Sequence, residues 1–196
     1  MRKIGIMGGT FDPIHIGHLM IAEAVWDEYN LEKILFIPSA NPPHKDSVMT
    51  SAKHRFNMTL LATCSNPHFE VSPIEMERSG PSYTIDTIRD LKKLYGDEVE
   101  LYFIIGADCI NELPSWRQID ELLKMCNFVV TKRPNYIPDL AIIEQNYTDY
   151  NMHILETPEL EISSTNIRER IKKGYSIQYI TTEQVQQYIR KEELYL

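Results

Sequence analysis

Near the start of the chain, two adjacent glycines and two histidines stand at a spacing that suits phosphate chemistry. The stretch reads Gly8, Gly9, Thr10, Phe11, Asp12, Pro13, Ile14, His15, Ile16, Gly17, His18. Adjacent glycines let the backbone approach a ligand closely, because no Cβ stands in the way. His15 and His18 are three residues apart, so at the start of a helix they share one face. The first N–H groups of such a helix lack intrahelical partners and can bind phosphate oxygens.

The flanking residues place this stretch between a strand and a helix. Residues 3–7 form a short apolar run typical of a buried strand. Apolar residues then recur at helical spacing, at Ala22, Val25, Trp26 and Tyr29. A glycine pair after a strand is usually only a turn, but the added histidines, threonine and proline favour phosphate binding. The stretch carries neither Gly-Lys-Ser/Thr nor Gly-x-Gly-x-x-Gly, which excludes a Walker loop and the dinucleotide fingerprint.

The block His15-Ile16-Gly17-His18 resembles the (T/H)-x-G-H signature of the nucleotidylyltransferase superfamily, in the form carried by bacterial nicotinate-nucleotide adenylyltransferases. The resemblance implies that ATP binds in this part of the chain and that both histidines are catalytic. The residues that would bind ATP here are Gly8, Gly9, Thr10, Phe11, His15 and His18.

Three hydroxyl residues followed by an arginine form a second phosphate-type feature, Ile162-Ser163-Ser164-Thr165-Asn166-Ile167-Arg168. Alone, this pattern fits an ordinary helix cap with a solvated arginine. The resemblance makes it the superfamily's second nucleotide-binding motif. Arg168 would then be catalytic and would grip the β- and γ-phosphates of ATP. The same ATP site would include Ile162, Ser163, Ser164 and Thr165.

A stiff loop with a cation follows the second predicted strand, in the block Pro42-Pro43-His44-Lys45. Consecutive prolines exclude both a helix and a central strand there. A lysine beside prolines is usually just solvated, but the family carries the same block beside the mononucleotide phosphate. The resemblance therefore implies that His44 and Lys45 bind the mononucleotide and that Lys45 has a catalytic role in steering its phosphate.

A helix start at Ser82-Tyr83-Thr84-Ile85-Asp86-Thr87 offers a site for another anion. In the family, the corresponding segment presents backbone amides to the nicotinate carboxylate, which implies mononucleotide binding by Tyr83 and Thr84. A helix N-terminus favours an anion. A neutral carboxamide would gain less there, so the acid should be preferred over the amide. We expect Asp86 to be structural.

The last predicted group of site residues follows two further strands. Gly106 lets a ligand approach the strand end, and Asp108 can accept hydrogen bonds from sugar hydroxyls. Trp116 either packs in the core or stacks on an aromatic ring. The resemblance implies an ATP site at Gly106 and Asp108, with Asp108 on a ribose, and pyridine stacking by Trp116. Arg133 is a further candidate for phosphate contact on the mononucleotide.

Apolar runs and helical patterns alternate along the chain, which predicts an α/β fold with a doubly wound parallel sheet. The resemblance implies that this is the Rossmann-like nucleotidylyltransferase fold. We expect one domain over residues 1–196, with residues 160–196 as a C-terminal helical portion. In such sheets, ligands bind at the carboxyl ends of the strands, where the strand order reverses.

Local patterns also predict where individual helices begin and which faces they bury. Ala52, Phe56 and Leu60 share a stripe that we expect to face the core. Thr84 is expected to cap one helix and Ser115 to open another. Thr181, with a glutamine three residues later, predicts a capping box for the final helix.

The composition limits the classes of protein to which the chain can belong. A formal charge of −8 over 196 residues argues against a surface that binds nucleic acid. Cys64, Cys109 and Cys126 are too widely spaced for a zinc site, and they predict free thiols in a reducing cytoplasm. No apolar run is long enough to span a membrane. Tyrosines near the C-terminus are candidates for contact in a homo-oligomer.

Together these motifs predict transfer of the adenylyl group from ATP to nicotinate mononucleotide. The histidines lack a third ligand at metal spacing, so we expect no metal site on the protein, and Mg²⁺ would arrive on the ATP phosphates. The closest alternative is an enzyme that uses nicotinamide mononucleotide. A non-catalytic nucleotide sensor with the same fold is an alternative of a different class.

Overall fold

A parallel sheet of six strands forms the centre of the fold in a computed structural model that describes residues 1–42, 49–96, 98–132, 139–158 and 160–196. The strands are β1 (Arg2–Gly9), β2 (Lys33–Pro38), β3 (Phe69–Val71), β4 (Val99–Gly106), β5 (Asn127–Lys132) and β6 (Asn151–Glu156). Their spatial order is β3-β2-β1-β4-β5-β6, and every neighbouring pair is parallel. The predicted α/β fold with a parallel sheet is therefore confirmed.

Helices cover both faces of this sheet, as the doubly wound prediction requires. They are α1 (Ile16–Tyr29), α2 (Ala52–Thr63), α3 (Thr84–Tyr95), a 3₁₀ helix (Ala107–Ser115), α4 (Ile119–Met125), α5 (Ala141–Asn146), α6 (Ser164–Lys172) and α7 (Glu183–Lys191). One apolar cluster joins the sheet to α3, the 3₁₀ helix, α4 and α5. The other joins the opposite face to α1, α2, α6 and α7.

The central strand β4 shows why its sequence is a continuous apolar run. Leu101, Phe103 and Ile105 belong to one cluster, whereas Tyr102 and Ile104 belong to the other. Alternate side chains point to opposite faces of a strand, so a strand covered on both sides needs apolar residues at every position.

The expected apolar stripe of α2 is wrong. The structure buries Arg55, Met58, Thr59, Ala62 and Thr63 instead. The stripe residues that we expected in the core are half-buried or, at Leu60, 43% exposed. Threonine can occupy this face because the hydroxyls of Thr59 and Thr63 donate to helix carbonyls four residues back, at 2.8 and 2.9 Å.

Two predicted helix starts are also displaced. Tyr83, not Thr84, is the N-cap of α3, and Thr84 is the first helical residue. Ser115 ends the 3₁₀ helix and donates to the Glu112 carbonyl at 2.7 Å, so α4 begins four residues later.

The predicted cap of the final helix lies one residue too early. Thr182 is the N-cap of α7, and its hydroxyl accepts a hydrogen bond from the Val185 amide. Thr181 is buried, and its hydroxyl donates to the Ile14 carbonyl at 2.9 Å. A tertiary hydrogen bond therefore decides which of two adjacent threonines caps the helix.

Candidate active site

A crevice opens between β1 and β4, where the strand order reverses. Pairing between these two strands ends at Ile6 and Phe103. On the outer sides the pairing continues further, to Gly9 between β1 and β2 and to Gly106 between β4 and β5. The two central strands therefore part at their carboxyl ends, which is where ligands bind in open α/β sheets.

Four carbonyl groups of the loop at residues 10–14 accept hydrogen bonds from side chains elsewhere in the chain. The donors are Arg55 Nη1 to Thr10 at 2.7 Å, Arg168 Nη1 to Asp12 at 2.9 Å, Ser164 Oγ to Pro13 at 2.8 Å and Thr181 Oγ1 to Ile14 at 2.9 Å. These donors come from α2, α6 and the residues before α7. These four hydrogen bonds therefore hold the loop at residues 10–14 in one conformation without a ligand.

Phe11 occupies the centre of this loop. Its backbone is left-handed, with φ +51, and its side chain is only 3% exposed. A Cβ added at Gly9 would lie 2.8 Å from the Phe11 ring, so glycine is required there. The rings of Phe11 and His18 meet edge-to-face, with ring centroids 5.1 Å apart. Phe11 therefore connects the glycines to the second histidine.

The two predicted catalytic histidines stack at the start of α1. Their ring centroids lie 3.7 Å apart, and the His18 Nδ1 atom accepts a hydrogen bond of 3.2 Å from the His15 amide. Burial lowers the pKa of His15 to about 4. Its Nδ1 atom is buried without a hydrogen-bond partner among the described residues. His15 is therefore neutral at pH 7, and as a neutral imidazole it can give a phosphate one N–H hydrogen bond.

The start of α6 lies against the same loop. Each hydroxyl of its three-residue motif is engaged within the protein: Ser163 accepts from the Asn166 amide, Ser164 donates to Pro13, and Thr165 accepts from Arg168. Ser163 and Thr165 only accept in these bonds, so the motif can offer their O–H groups, as well as backbone amides at this helix start, to an anion.

Arg168 is oriented by two of these contacts. Its Nη1 atom donates to the Asp12 carbonyl at 2.9 Å, and its Nη2 atom donates to Thr165 Oγ1 at 3.1 Å. These bonds use two of the five N–H donors of the guanidinium. Arg168 and His18 thus both contact the loop at residues 11–15, one through Asp12 and the other through Phe11.

The start of α3 lies beside the loop that follows β2. The Asn41 amide donates to Ser82 Oγ at 3.1 Å, and the Ser82 amide donates to the Asn41 carbonyl at 2.9 Å. The side chain of Tyr83, the N-cap residue, makes no capping hydrogen bond, and the guanidinium of Arg117 lies 4.7 Å from the centroid of the Tyr83 ring. The first amides of α3, including that of Thr84, have no intrahelical acceptor.

Asp108 and Trp116 lie on the β4 side of the crevice. The exposed Asp108 carboxylate lies so close above Gly106 that it would collide with any Cβ there. Half-buried Trp116 meets the Phe103 ring edge-to-face at a centroid distance of 6.1 Å. The same Phe103 ring would lie 3.5 Å from a Cβ added at Gly8. Phe103 therefore packs between Gly8 and Trp116, the tryptophan that we expected to stack on pyridine.

Three predicted site residues, His44, Lys45 and Arg133, lie outside the described residues. The chain on both sides of 43–48 is anchored near the crevice. Asn41 is bonded to Ser82, and the Met49 amide donates to Asp12 Oδ2 at 2.8 Å.

Arg55, which no sequence motif indicated as a site residue, supports the loop that follows β1. Its side chain is 1% exposed and donates to the carbonyls of Thr10, Ala40 and Thr50 at 2.7, 3.3 and 3.4 Å. Arg55 therefore connects the loop at residues 10–14 to the segments that contain Ala40 and Thr50. Its helical spacing with Met58 and Ala62 was a signal, but an arginine is not counted as a core residue in such patterns.

Neither a metal cluster nor a membrane helix is found in the part of the chain that the structure describes. Those residues contain no group of three or more His, Cys, Asp or Glu side chains that could hold a metal ion. Their helices are too short and too polar to cross a membrane.

Comparisons with known proteins cover nearly the whole chain. Residues 6–170 match the family model described as "Cytidylyltransferase-like". A Thermoanaerobacter protein named "Probable nicotinate-nucleotide adenylyltransferase" is 52% identical, over 98% of this chain and 94% of its own length. A Moorella thermoacetica protein with the same name is 48% identical over 98% and 91% of the two chains.

A solved structure supports the fold at lower sequence identity. The Plasmodium falciparum nicotinic acid mononucleotide adenylyltransferase complexed with NaAD superposes with a TM-score of 0.83 at 23% identity, over 100% of this chain and 98% of that chain.

Proposed function

This chain belongs to the nicotinate-nucleotide adenylyltransferases, and we propose that its crevice transfers the adenylyl group of ATP to nicotinate mononucleotide. The products are nicotinate adenine dinucleotide and pyrophosphate, so the reaction makes the dinucleotide in NAD biosynthesis. The observation that supports this most directly is the convergence of His18 and Arg168 on one preorganised loop at the switch point of the sheet.

The chemistry requires positioning more than proton transfer. The 5′-phosphate of the mononucleotide attacks the α-phosphorus of ATP in line, and pyrophosphate leaves. This nucleophile is already an anion, so no general base is needed. Repulsion between two polyanions is the main obstacle, and the site must neutralise charge and align the reacting atoms. The formal charge of −8 on the whole chain cannot do this, so local groups must.

On the ATP side, the roles that we propose follow the family resemblance and are compatible with the contacts described above. His18, Thr10 and the loop amides stabilise the α-phosphate as charge grows, and His15 and Arg168 hold the departing pyrophosphate. Gly8, Gly9 and Phe11 shape the loop, and Gly106 and Asp108 receive a ribose. Ile162 precedes the start of α6, where Ser163, Ser164 and Thr165 supply amides and hydroxyls. His15 acts here as a neutral N–H donor, because burial keeps its pKa near 4.

On the acceptor side, the start of α3 binds the nicotinate carboxylate. Unpaired amides at Tyr83 and Thr84 favour an anion over a neutral carboxamide. Trp116, held against Phe103, stacks on the pyridine ring. Lys45 steers the attacking phosphate, with His44 and Arg133 as additional contacts. ATP enters as its Mg²⁺ complex, so the ion is part of the substrate.

The test is a pyrophosphate-release assay with ATP and a panel of mononucleotides. We expect release with nicotinate mononucleotide, and a smaller kcat/KM with nicotinamide mononucleotide. Equal use of the two would overturn the anion-pocket assignment at α3. ATP binding without pyrophosphate release from any mononucleotide would indicate a nucleotide sensor instead of an enzyme.

A further inference from the structure

A tyrosine far from the loop in sequence is buried beneath it. Tyr195, in the segment that follows α7, is only 6% exposed and packs in the apolar cluster on the α1 and α7 face. Its hydroxyl donates a hydrogen bond of 2.7 Å to Asp12 Oδ1. Burial and this bond to a carboxylate raise the pKa of Tyr195, so the phenol keeps its proton and remains a donor.

Asp12 joins three separate segments of the chain at the crevice. Besides Tyr195, its carboxylate accepts hydrogen bonds from Thr50 Oγ1 at 2.6 Å and from the Met49 amide at 2.8 Å. Its backbone carbonyl accepts from Arg168 at 2.9 Å. Asp12 is only 3% exposed, and burying a carboxylate costs free energy unless donors such as these bind it.

The residue before Asp12 needs this restraint. Phe11 has a left-handed backbone, which a bulky side chain adopts only when its surroundings hold it. Phe11 in turn contacts His18. If Asp12 lost its hydrogen bonds, both Phe11, which contacts His18, and the guanidinium of Arg168 would therefore be less firmly held.

We propose that Tyr195 is a positioning residue for adenylyl transfer, acting through Asp12 to hold the loop at residues 11–15 and Arg168 in their productive arrangement. The inference rests on the proposed function. The phenyl ring of Tyr195 serves the apolar cluster, whereas its hydroxyl serves Asp12. A phenylalanine at this position would retain the first contribution and remove the second.

The chain offers a matched control in Tyr179. Both tyrosines have left-handed backbones, with φ +65 at Tyr179 and +66 at Tyr195, but the Tyr179 side chain is 86% exposed. We expect Tyr195→Phe to lower kcat/KM about 10-fold, the scale of a small displacement of reacting groups, while Tyr179→Phe matches wild type. Wild-type kinetics in Tyr195→Phe, even with a lower unfolding temperature, would overturn the proposal and leave Tyr195 a purely structural residue.

A double-mutant cycle tests whether the effect passes through Asp12. If it does, Asp12→Ala, which removes the acceptor, combined with Tyr195→Phe should be no slower than Asp12→Ala alone. Multiplication of the two losses would overturn the proposal. The affinity for ATP with Mg²⁺, measured without any mononucleotide, separates this inference from the proposed function. Wild type that binds ATP without transfer refutes the function, whereas active wild type together with unchanged kinetics in Tyr195→Phe refutes the positioning role.

Discussion

The rings of His15 and His18 stack at 3.7 Å, and the His15 amide donates to the Nδ1 atom of His18. In a neutral His18, a hydrogen bond accepted at Nδ1 places the ring proton on Nε2. Burial keeps the His15 partner ring uncharged, with a pKa of about 4. The stacked His15 ring therefore adds no positive charge beside His18.

Replacement of His18 by alanine should lower kcat about 100-fold or more and leave the fold intact. The loss is that of one preorganised group at the phosphate on which charge develops. Steady-state pyrophosphate release measures kcat, and circular dichroism checks the fold. His153→Ala, which removes an exposed histidine of β6, is the matched control and should retain wild-type turnover. Near-normal turnover in His18→Ala would refute its catalytic assignment.

The buried imidazole of His15 should make stability depend on pH. Its folded pKa of about 4 lies below the ordinary value of 6.5, so the unfolded chain binds the proton more readily. The free energy of unfolding therefore has its full value from this group above about pH 6.5, and it decreases as the pH falls towards 4. Between pH 7 and pH 5 the loss from this group is about 2 kcal/mol.

Urea unfolding at the two pH values measures that loss. In His15→Gln the free energy of unfolding should fall by about 2 kcal/mol less than in wild type over the same interval. The exposed-site variant His153→Gln should follow wild type. Parallel pH profiles for wild type and His15→Gln would show that the imidazole of His15 titrates normally in the folded protein.

The four inner strands of the sheet were predictable because they are short apolar runs covered on both faces, whereas the edge strands β3 and β6 are largely exposed or half-buried. The run at residues 101–105 is one example, and all five side chains are buried. The turn between β1 and α1 was also predictable from the glycine pair and the two histidines, because local backbone geometry restricts where such residues occur. Both signals are local, because each is contained within about ten consecutive residues.

The supports of the site were not predictable, since their partners are distant in the chain. Tyr195 is 183 residues from Asp12, and nothing near either residue indicates the contact. Arg55 lies on the buried face of α2 because three carbonyls must be satisfied there. A local pattern counts such an arginine as exposed. The roles assigned to the remaining site residues stay predictions.

Replacement of Arg55 by lysine should destabilise the protein, because an ammonium group cannot span the three carbonyls that the guanidinium reaches. Leaving buried acceptors unsatisfied costs about 2 to 3 kcal/mol, which corresponds to a fall of about 8 °C in Tm for a chain of this size. Thermal unfolding measures the shift. Arg190→Lys, at an exposed position of α7, should change Tm by little. Equal Tm values for the two variants would contradict the supporting role of Arg55.

The start of α3 allows a test in which a single backbone amide is removed. Thr84 is the first residue of the helix, where proline is tolerated because its missing N–H has no intrahelical acceptor. The preceding Tyr83, with φ −93 and ψ 133, already has the extended conformation that a following proline requires. Thr84→Pro should therefore fold normally, yet lose one donor to the nicotinate carboxylate.

We expect Thr84→Pro to reduce kcat/KM for nicotinate mononucleotide about 10-fold and to change that for nicotinamide mononucleotide much less, since one hydrogen bond to a charged group is lost. Thr84→Ala removes the hydroxyl but keeps the amide, so it should preserve the preference for the acid. Paired assays with both mononucleotides measure the ratio. If Thr84→Pro kept the wild-type ratio, the carboxylate would have to bind away from the start of α3. If Thr84→Ala lost the ratio, the hydroxyl of Thr84 and not its amide would select the acid.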